Sequence, residues 1–264
     1  MGIGLQKTPY QKQFIKDNYE TMETSKIAEI TGLTVKQICD YARRQGLKKQ
    51  NITPEGRSKY TVDYHFFDVI DTEEKAYWLG FLYADGYIRK DGLELSLCKQ
   101  DEIHLEKFKK SIKSNVSVKQ KIVNGFPQAR ITICSKYISE KLHNLGCVRN
   151  KSLILTFPTE EIVPNNLIRH FIRGYFDGDG CVSINIEKRS YHTSFVGTQS
   201  FLTSILEILN KEIGTNVKCM RPCGNAKQIA IGGRVQLIKM FHYLYDDSTV
   251  YLDRKFEKFN LLFA

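Results

Sequence analysis

One motif occurs twice in this chain and constrains its fold more than any other feature. The first copy reads YWLGFLYADGYI (Tyr77–Ile88), and the second, about ninety residues later, reads HFIRGYFDGDGCVSI (His170–Ile184). In each copy a glycine lies within an apolar run, and an aspartate-glycine pair ends that run. A helix that is apolar on nearly every face is buried. The repeat therefore predicts two buried helices in two related halves of one molecule.

The glycine and the aspartate of each copy predict how the two helices meet. Gly80 and Gly174 lie within the helices, where glycine costs about 1 kcal/mol relative to alanine. We therefore expect the helices to touch at Gly80 and Gly174. Asp85 and Asp179 then lie side by side at the C-terminal ends, where each carboxylate faces the negative end of a helix dipole and the two repel. A cation relieves this repulsion, and carboxylate oxygens suit Mg²⁺.

The segments that follow each motif repeat one order of elements. Asp91-Gly92 and Asn124-Gly125 mark hairpin turns between alternating segments, and a helical segment follows each strand pair. After the second motif, strand-like and helical segments return in the same order. The order α-β-β-α-β-β-α in each half predicts an α+β fold.

The two motifs, WLGFLYADG at Trp78–Gly86 and IRGYFDGDG at Ile172–Gly180, resemble the paired motif of the LAGLIDADG homing endonucleases. The resemblance covers about Asp71 to the C-terminus. It implies the single-chain form of that family, with two pseudo-symmetric αββαββα halves that form a DNA-binding saddle, here over residues 71–160 and 161–264. The first copy departs from the second at Tyr83, where the second has Asp177.

The resemblance implies a sequence-specific double-strand DNA endonuclease that hydrolyses one phosphodiester on each strand and leaves staggered 3′ overhangs. The final aspartates bind the metal in this family. This implies an Mg²⁺ site at Asp85 and Asp179, with backbone carbonyls of Ala84 and Gly178 beside them. We expect Mn²⁺ to substitute for Mg²⁺, and Ca²⁺ to support DNA binding without cleavage.

The resemblance also implies further catalytic residues. The family places a basic residue near the scissile phosphate after the last helix of each half, which assigns Lys151 and Lys255. It often has a polar residue at the end of the second strand. That position is Lys99 in the first half and Thr198 or Gln199 in the second, so the water-organising roles differ between the halves.

Alternation within the strands places a polar row on one face of each sheet. The polar rows contain Arg, Lys, Asn and Gln, the side chains that read base edges in the major groove. A soluble sheet also needs a polar outer face, so for any single residue both interpretations stay open. As a set, we expect DNA contacts from Arg89, Ser117, Lys119, Lys121, Gln128, Arg130, Thr132, Ser183, Asn185, Lys188, Arg189, Lys218, Arg221 and Gln228.

Residues 1–47 resemble a helix-turn-helix DNA-binding unit. Gly32 supplies a turn, Thr34 and Gln37 form a capping box, and Thr34–Arg44 is the expected recognition helix. A three-helix bundle with a basic solvated face is the alternative interpretation. The sequence is mostly polar from about Lys48 to Tyr64, and residues 48–70 are expected to be a basic linker. The DNA contacts expected from these segments are Lys36, Gln37, Arg43, Arg44, Lys48, Lys49 and Arg57.

The charge balance agrees with a nucleic-acid partner. Net charge is +10, which favours a polyanion. We expect a monomer that binds a long asymmetric double-stranded DNA target, with no membrane partner. The expected compartment is the cytoplasm of a prokaryotic or phage-infected cell, and an organelle stays open. Two rival functions also stay open, namely a catalytically silent DNA-binding regulator and a maturase that binds intron RNA.

Overall fold

The computed structural model describes residues 7–49, 60–148, 154–215, 217 and 219–263. The chain divides into two compact units, Met1–Ser58 and Lys59–Ala264. None of the described helices is both long and apolar enough to cross a bilayer.

The smaller unit is a cluster of three helices, α1 (Pro9–Asn18), α2 (Thr24–Thr31) and α3 (Val35–Arg44). Ile15, Ile27 and Ile38, one from each helix, are fully buried and form its core. Gly32 ends α2 with φ of 68°, a left-handed conformation that glycine adopts without strain. Thr34 begins α3 through the expected capping box with Gln37.

The larger unit contains the two expected halves, which confirms the fold class. Described elements of the first half are α4 (Glu73–Asp85), β1 (Gly86–Arg89), β2 (Gly92–Cys98), α5 (Glu102–Ser111), β3 (Lys119–Val123), β4 (Phe126–Cys134) and α6 (Lys136–Asn144). Those of the second are α7 (Ile168–Asp179), β5 (Cys181–Asn185), β6 (Ser190–Gly197), α8 (Gln199–Ile213), β7 (Arg221–Cys223), β8 (Ala226–Gly232), α9 (Arg234–Tyr245) and α10 (Asp253–Asn260).

Each half contributes one antiparallel sheet of four strands. The strand orders are β1-β2-β4-β3 and β5-β6-β8-β7, so the two sheets have the same topology. One face of each sheet carries buried apolar residues, such as Leu95 and Ile131 in the first half and Phe195 and Ile229 in the second. The polar residues that alternate with them lie on the opposite, outward face.

Helices α4 and α7 pack against each other through their glycines. A Cβ on Gly80 would lie 2.0 Å from the backbone oxygen of Phe171, and a Cβ on Gly174 would lie 1.9 Å from that of Tyr77. Only glycine allows the two backbones to approach this closely. The approach places the two helix ends, and therefore both aspartates, in one region of the unit.

Residues 60–70 do not form a linker, in contrast to the sequence expectation. Tyr64, Phe66, Phe67 and Ile70 are buried in the core of the larger unit. These four apolar side chains follow the polar residues 48–59, and their burial stabilises the fold. The remaining described linker residues, Lys48 and Lys49, belong to the smaller unit.

Candidate functional site

The two aspartates lie at equivalent helix ends. Asp85 is the last residue of α4 and Asp179 is the last residue of α7; β1 begins at the next residue, and β5 begins after one intervening glycine, Gly180. The amides of Gly86 and Gly180 close the last turns by donating to the carbonyls of Leu82 and Phe176. Each acid is thereby held where helix turns into strand.

The acids also approach each other across the helix pair. A Cβ on Gly178 would lie 3.2 Å from Oδ2 of Asp85 and 2.2 Å from Cβ of Ala84. Asp85 is partly buried, whereas Asp179 is exposed. Burial raises the pKa of the Tyr175 hydroxyl, and both carboxylates add to that rise. The two negative charges therefore act on the same region.

Lys255 lies at this helix end, with its ammonium group buried. Nζ of Lys255 donates to the carbonyls of Phe176 (2.6 Å), Gly178 (3.2 Å) and Gly180 (2.5 Å). These carbonyls belong to the end of α7, where backbone acceptors lack helical partners. Burial lowers the pKa of Lys255 to about 8, and Asp177, Asp85 and Asp179 oppose that fall. Lys255 therefore bonds to protein carbonyls, whereas the sequence assigned it to the scissile phosphate.

Among the described residues, a neutral group contacts the equivalent end of α4. Sγ of Cys147 donates to the carbonyl of Leu82 at 3.3 Å, and Cys147 is fully buried. Leu82 corresponds to Phe176, whose carbonyl accepts from Lys255. Lys151, the basic residue expected in the first half, lies outside the described residues.

Asp177 is the centre of a buried hydrogen-bond network that the sequence did not reveal. Its carboxylate accepts from the hydroxyls of Tyr77 (2.8 Å) and Tyr245 (2.7 Å) and from the amide of Leu252 (2.8 Å). Burial raises the pKa of Asp177, and Lys255 and these three donors oppose the rise. The Tyr77 hydroxyl also contacts Nε2 of His104 at 2.9 Å.

Arg173 forms a second buried cluster on the same side of the helix pair. Its guanidinium donates to Glu73 (2.7 Å) and to the carbonyls of Leu244 (2.9 Å) and Val250 (3.0 Å). Burial acts to raise the pKa of Glu73, but the Thr249 amide and Arg173 outweigh it and lower that pKa. The cluster joins α4 and α7 to the segment between α9 and α10.

A departure from the repeat was the available signal for both clusters. Asp177 replaces Tyr83, and Arg173 interrupts an apolar helix at the position that Leu79 occupies in the first copy. His104 and His170 are both buried in these clusters. His104 contacts Tyr77, and Nδ1 of His170 lies 2.7 Å from Nη1 of Arg173.

Lys99 and Gln199 lie just beyond the second strand of their halves. Lys99 follows β2 and forms an ion pair with Glu102, while Gln199 is the exposed first residue of α8. Thr198, the alternative to Gln199, caps α8 through its hydroxyl, which accepts from the Phe201 amide. Thr198 therefore has a structural role at this helix start.

The outward faces of the sheets carry most of the residues expected to contact DNA. The strand residues on these faces are Arg89, Lys119, Lys121, Gln128, Arg130, Thr132, Ser183, Asn185, Arg221 and Gln228. Ser117 precedes β3, and Lys188 and Arg189 are exposed in the turn between β5 and β6. Lys218 and Arg57 lie outside the described residues.

In the smaller unit, the expected contacts differ in availability. The exposed ones are Lys36, Arg43, Arg44 and Lys48. Oε1 of Gln37 accepts from the Thr34 amide at 2.9 Å, so this side chain also stabilises the helix start. Lys49 donates to the Met22 carbonyl, and its ammonium lies 4.6 Å from the centre of the Tyr19 ring. Lys49 is therefore half-buried against its own unit.

The donor set at the helix ends fits a hard cation. Two carboxylates and nearby backbone carbonyls are the oxygen ligands that Mg²⁺ prefers, with water completing its coordination. No cluster of three or more His, Cys, Asp or Glu side chains suited to a metal occurs within the described ranges. Any metal held here therefore depends on the two aspartates and on oxygen donors other than side-chain carboxylates.

Comparison with known proteins identifies part of the second half. Residues 166–218 match the family model of the LAGLIDADG-like domain. The homing endonuclease I-WcaI, solved bound to its DNA recognition sequence, has 13% identity and a TM-score of 0.51, over 72% of this chain and 90% of that chain. Full-length DUF199/WhiA from Thermatoga maritima has 16% identity and a TM-score of 0.48, over 76% and 64%. The I-WcaI likeness shows a shared fold.

A curated relative shares sequence over a shorter stretch. The Replication factor C small subunit of Methanocaldococcus jannaschii is 30% identical over 134 residues. This match spans 49% of the chain but only 7% of that protein. The chain therefore corresponds to a small part of its relative.

Proposed function

We propose that this chain, which carries a LAGLIDADG-like domain and shares the fold of a homing endonuclease, is a sequence-specific DNA endonuclease. One observation carries the proposal: α4 and α7 touch through Gly80 and Gly174, and each ends on an aspartate. Two sheets with polar outward faces accompany these helix ends. The net charge of +10 suits a long double-stranded DNA target bound by a monomer.

Asp85 and Asp179, with the carbonyl of Ala84, would hold Mg²⁺. When bound, the metal activates a water molecule and stabilises the departing alkoxide of a phosphodiester. Gly178 is a weaker candidate ligand, because its carbonyl already accepts from Lys255. We expect Mn²⁺ to replace Mg²⁺, and Ca²⁺ to support binding without cleavage.

The chain's own residues position the acids. The glycines allow both helix ends to enter one site, and Lys255 fixes the carbonyls at the end of α7. Because its ammonium lies beside Asp177, Asp85 and Asp179, Lys255 also offsets part of their repulsion. We therefore assign Lys255 a positioning role. Lys99 and Gln199 remain candidates for organising water, and cleavage with staggered 3′ ends is the expected outcome.

The smaller unit is proposed to extend the DNA contact. Its α3 exposes Lys36, Arg43 and Arg44, while the core of the unit is closed by apolar residues. A recognition helix with these features contacts phosphates and base edges. Tethering such a unit to the larger one raises its effective concentration at the target.

DNA binding without cleavage is the second candidate. The burial of the Lys255 ammonium favours it, because a group bonded to three carbonyls is not directed at a phosphate. The presence of an aspartate at the end of both motifs favours cleavage instead. A maturase activity on intron RNA rests only on the basic charge.

Replacing the aspartates tests the proposal. Asp85→Asn and Asp179→Asn should each abolish or severely slow cleavage of a selected DNA target in Mg²⁺, because each removes a charge that the metal requires. Binding measured in Ca²⁺ should stay nearly unchanged. The Asp91→Asn variant, in the exposed turn after β1, is the matched control and should cleave like the wild type.

The outcomes separate the candidates. Wild-type rates in either variant would exclude this mechanism. Selection of tight DNA targets that the wild type never cuts in Mg²⁺ or Mn²⁺ would establish binding without cleavage.

A further inference from the structure

The outward faces of the two sheets can be compared position by position. Counting from the aspartates, Tyr87 and Cys181 are each the second residue of the segment that follows. Their partners on the next strand are Glu94 and Ser194. Glu94 and Ser194 therefore occupy equivalent positions in the two halves.

The next strand pair extends the equivalence. Glu94 is opposite Thr132 on β4, and Ser194 is opposite Ala230 on β8. Arg130 and Gln228 each lie two residues before these partners. Both project to the outward face, so they are a second equivalent pair.

These equivalent positions make the same contact with different chemistry. Nη1 of Arg130 donates to Oε1 of Glu94 at 3.1 Å, and Nε2 of Gln228 donates to Oγ of Ser194 at 3.1 Å. The first is an ion pair and the second is a neutral hydrogen bond. In each sheet a residue of the second strand therefore orients a long side chain of the third.

We infer that Arg130 and Gln228 determine base specificity at equivalent positions of the two half-sites, with Arg130 reading guanine and Gln228 reading adenine. Arginine contacts guanine O6 and N7 through two donors, whereas glutamine contacts adenine N6 and N7 through one donor and one acceptor. The inference rests on the proposed DNA-binding function. Because the two residues occupy equivalent strand positions, we expect the two bases to lie on opposite sides of the target centre.

The contacts with Glu94 and Ser194 leave donors and acceptors of Arg130 and Gln228 available for a base. Glu94 accepts from one terminal nitrogen of Arg130, and the other terminal nitrogen keeps its donors. Nε of Arg130 is buried with no hydrogen-bond partner among the described residues. The terminal nitrogens are therefore the groups that would contact guanine. Ser194 uses one N–H of the Gln228 amide, which keeps a second N–H and its oxygen.

The surrounding charge favours a polyanion on the first sheet. Lys119 lies directly opposite Arg130 on β3, and like charges in that arrangement destabilise a sheet. Arg89, on the other side, lies 3.9 Å from Glu94. An anionic partner relieves the repulsion between Lys119 and Arg130. In the second sheet, Arg221 faces the neutral Gln228.

Exchanging the pairs tests the inference. The double variant E94S/R130Q places the second-half pair in the first half, and S194E/Q228R does the reverse. Each protein is used to select bound sequences from a randomised DNA duplex library in Ca²⁺. The wild type should prefer guanine and adenine at the two positions by roughly 5- to 150-fold. Each exchange should switch the preference at its own position only.

Controls keep each outcome decisive. Lys136→Gln, at an exposed lysine of α6 outside the sheets, should leave the preferred bases unchanged. Thermal unfolding shows whether each variant folds. If a double variant does not fold, Glu94→Gln is used, and it should reduce the preference for guanine because Arg130 loses its orienting charge.

Two results would overturn the inference. Folded exchange variants that keep the wild-type base preferences would show that these positions do not read sequence, while DNA binding itself would stand. A wild type that selects no DNA sequence would reject the proposed function, and the inference would fall with it.

Discussion

The two sides of the α4–α7 interface join the helices through equivalent residues but with different interactions. We call them the polar side and the aromatic side. On one side Tyr77 and Asp177 are joined by a hydrogen bond of 2.8 Å. On the other side the equivalent residues, Phe171 and Tyr83, form an edge-to-face aromatic pair with ring centres 5.0 Å apart. The repeat conserves the backbone approach at Gly80 and Gly174, whereas the side chains around it have diverged.

Each side also holds the segment that follows the helix after the fourth strand of its half, which is α9 on one side and α6 on the other. Asp177 accepts from Tyr245 and Leu252, at the end of α9 and before α10. Tyr83 instead donates its hydroxyl to the carbonyl of Leu145, just after α6. A carboxylate acceptor and a phenol donor thus serve equivalent places. The comparison teaches that a pseudo-symmetric position can keep its role while its hydrogen-bonding sense is reversed.

The largest difference between the sides should appear at Arg173 and Leu79, which are equivalent. Arg173→Met leaves Glu73 without its cation and the carbonyls of Leu244 and Val250 without a donor. Removing one partner of a buried ion pair costs about 3–5 kcal/mol. Leu79→Met conserves volume in an apolar site and should cost under about 1.5 kcal/mol.

Urea unfolding of both variants measures this difference. Removing the carboxylate as well, in E73Q/R173M, should recover part of the lost stability, because the uncompensated charge is gone. Equal losses for Arg173→Met and Leu79→Met would mean that the polar cluster does not stabilise its side of the interface.

The divergence explains which features the sequence predicted. The motif, its glycines and the strand alternation indicate the two halves, because those signals depend on residues close together in the chain. Apart from His170, the partners of the Asp177 and Arg173 side chains lie 68 to 100 residues away. Their pairing depends on how α9 and α10 pack, which periodicity does not encode. The same limit applies to Lys255, whose burial depends on where α10 docks.

Residues 60–70 show another limit of sequence analysis. The polar stretch before this segment, which contains Pro54 and Gly56, favours a linker that continues into it. Burial of Phe66 and Phe67 requires a surface formed by the rest of the unit. Neither local composition nor alternation reports that surface.

Acid should also reduce the stability that the polar side of the interface provides, because His104 is buried there. Burial lowers the pKa of His104 to about 3, and the nearby charges of Lys107 and Lys255 add to the fall. The folded state therefore keeps His104 neutral while the unfolded state binds a proton below about pH 6.5. Stability from this group is present above about pH 6.5 and is lost as pH falls toward 3.

His104→Phe removes the titrating group and keeps a ring among Tyr77, Trp78 and Phe81. Between pH 7 and 4.5 the wild type should lose about 3 kcal/mol more than this variant, from the linkage between pKa and stability. Urea unfolding at both pH values gives the two losses, and His143→Phe, at an exposed histidine, is the control. Parallel pH profiles for wild type and His104→Phe would contradict the assignment of a neutral buried imidazole.

The smallest expected effect lies on the aromatic side, at Tyr83→Phe. The variant keeps the ring against Phe171 and removes only the hydroxyl that donates to Leu145. Burial raises the pKa of this hydroxyl above its ordinary value, so it is a neutral donor at every working pH. The lost hydrogen bond should reduce the free energy of unfolding by about 1 kcal/mol. Tyr87→Phe, at a tyrosine 59% exposed, should change it by less than about 0.5 kcal/mol. Urea unfolding at neutral pH compares the two. A Tyr83→Phe loss as large as that of Arg173→Met would mean that the aromatic side depends on its hydrogen bond as strongly as the polar side depends on its ion pair, and the contrast between them would disappear.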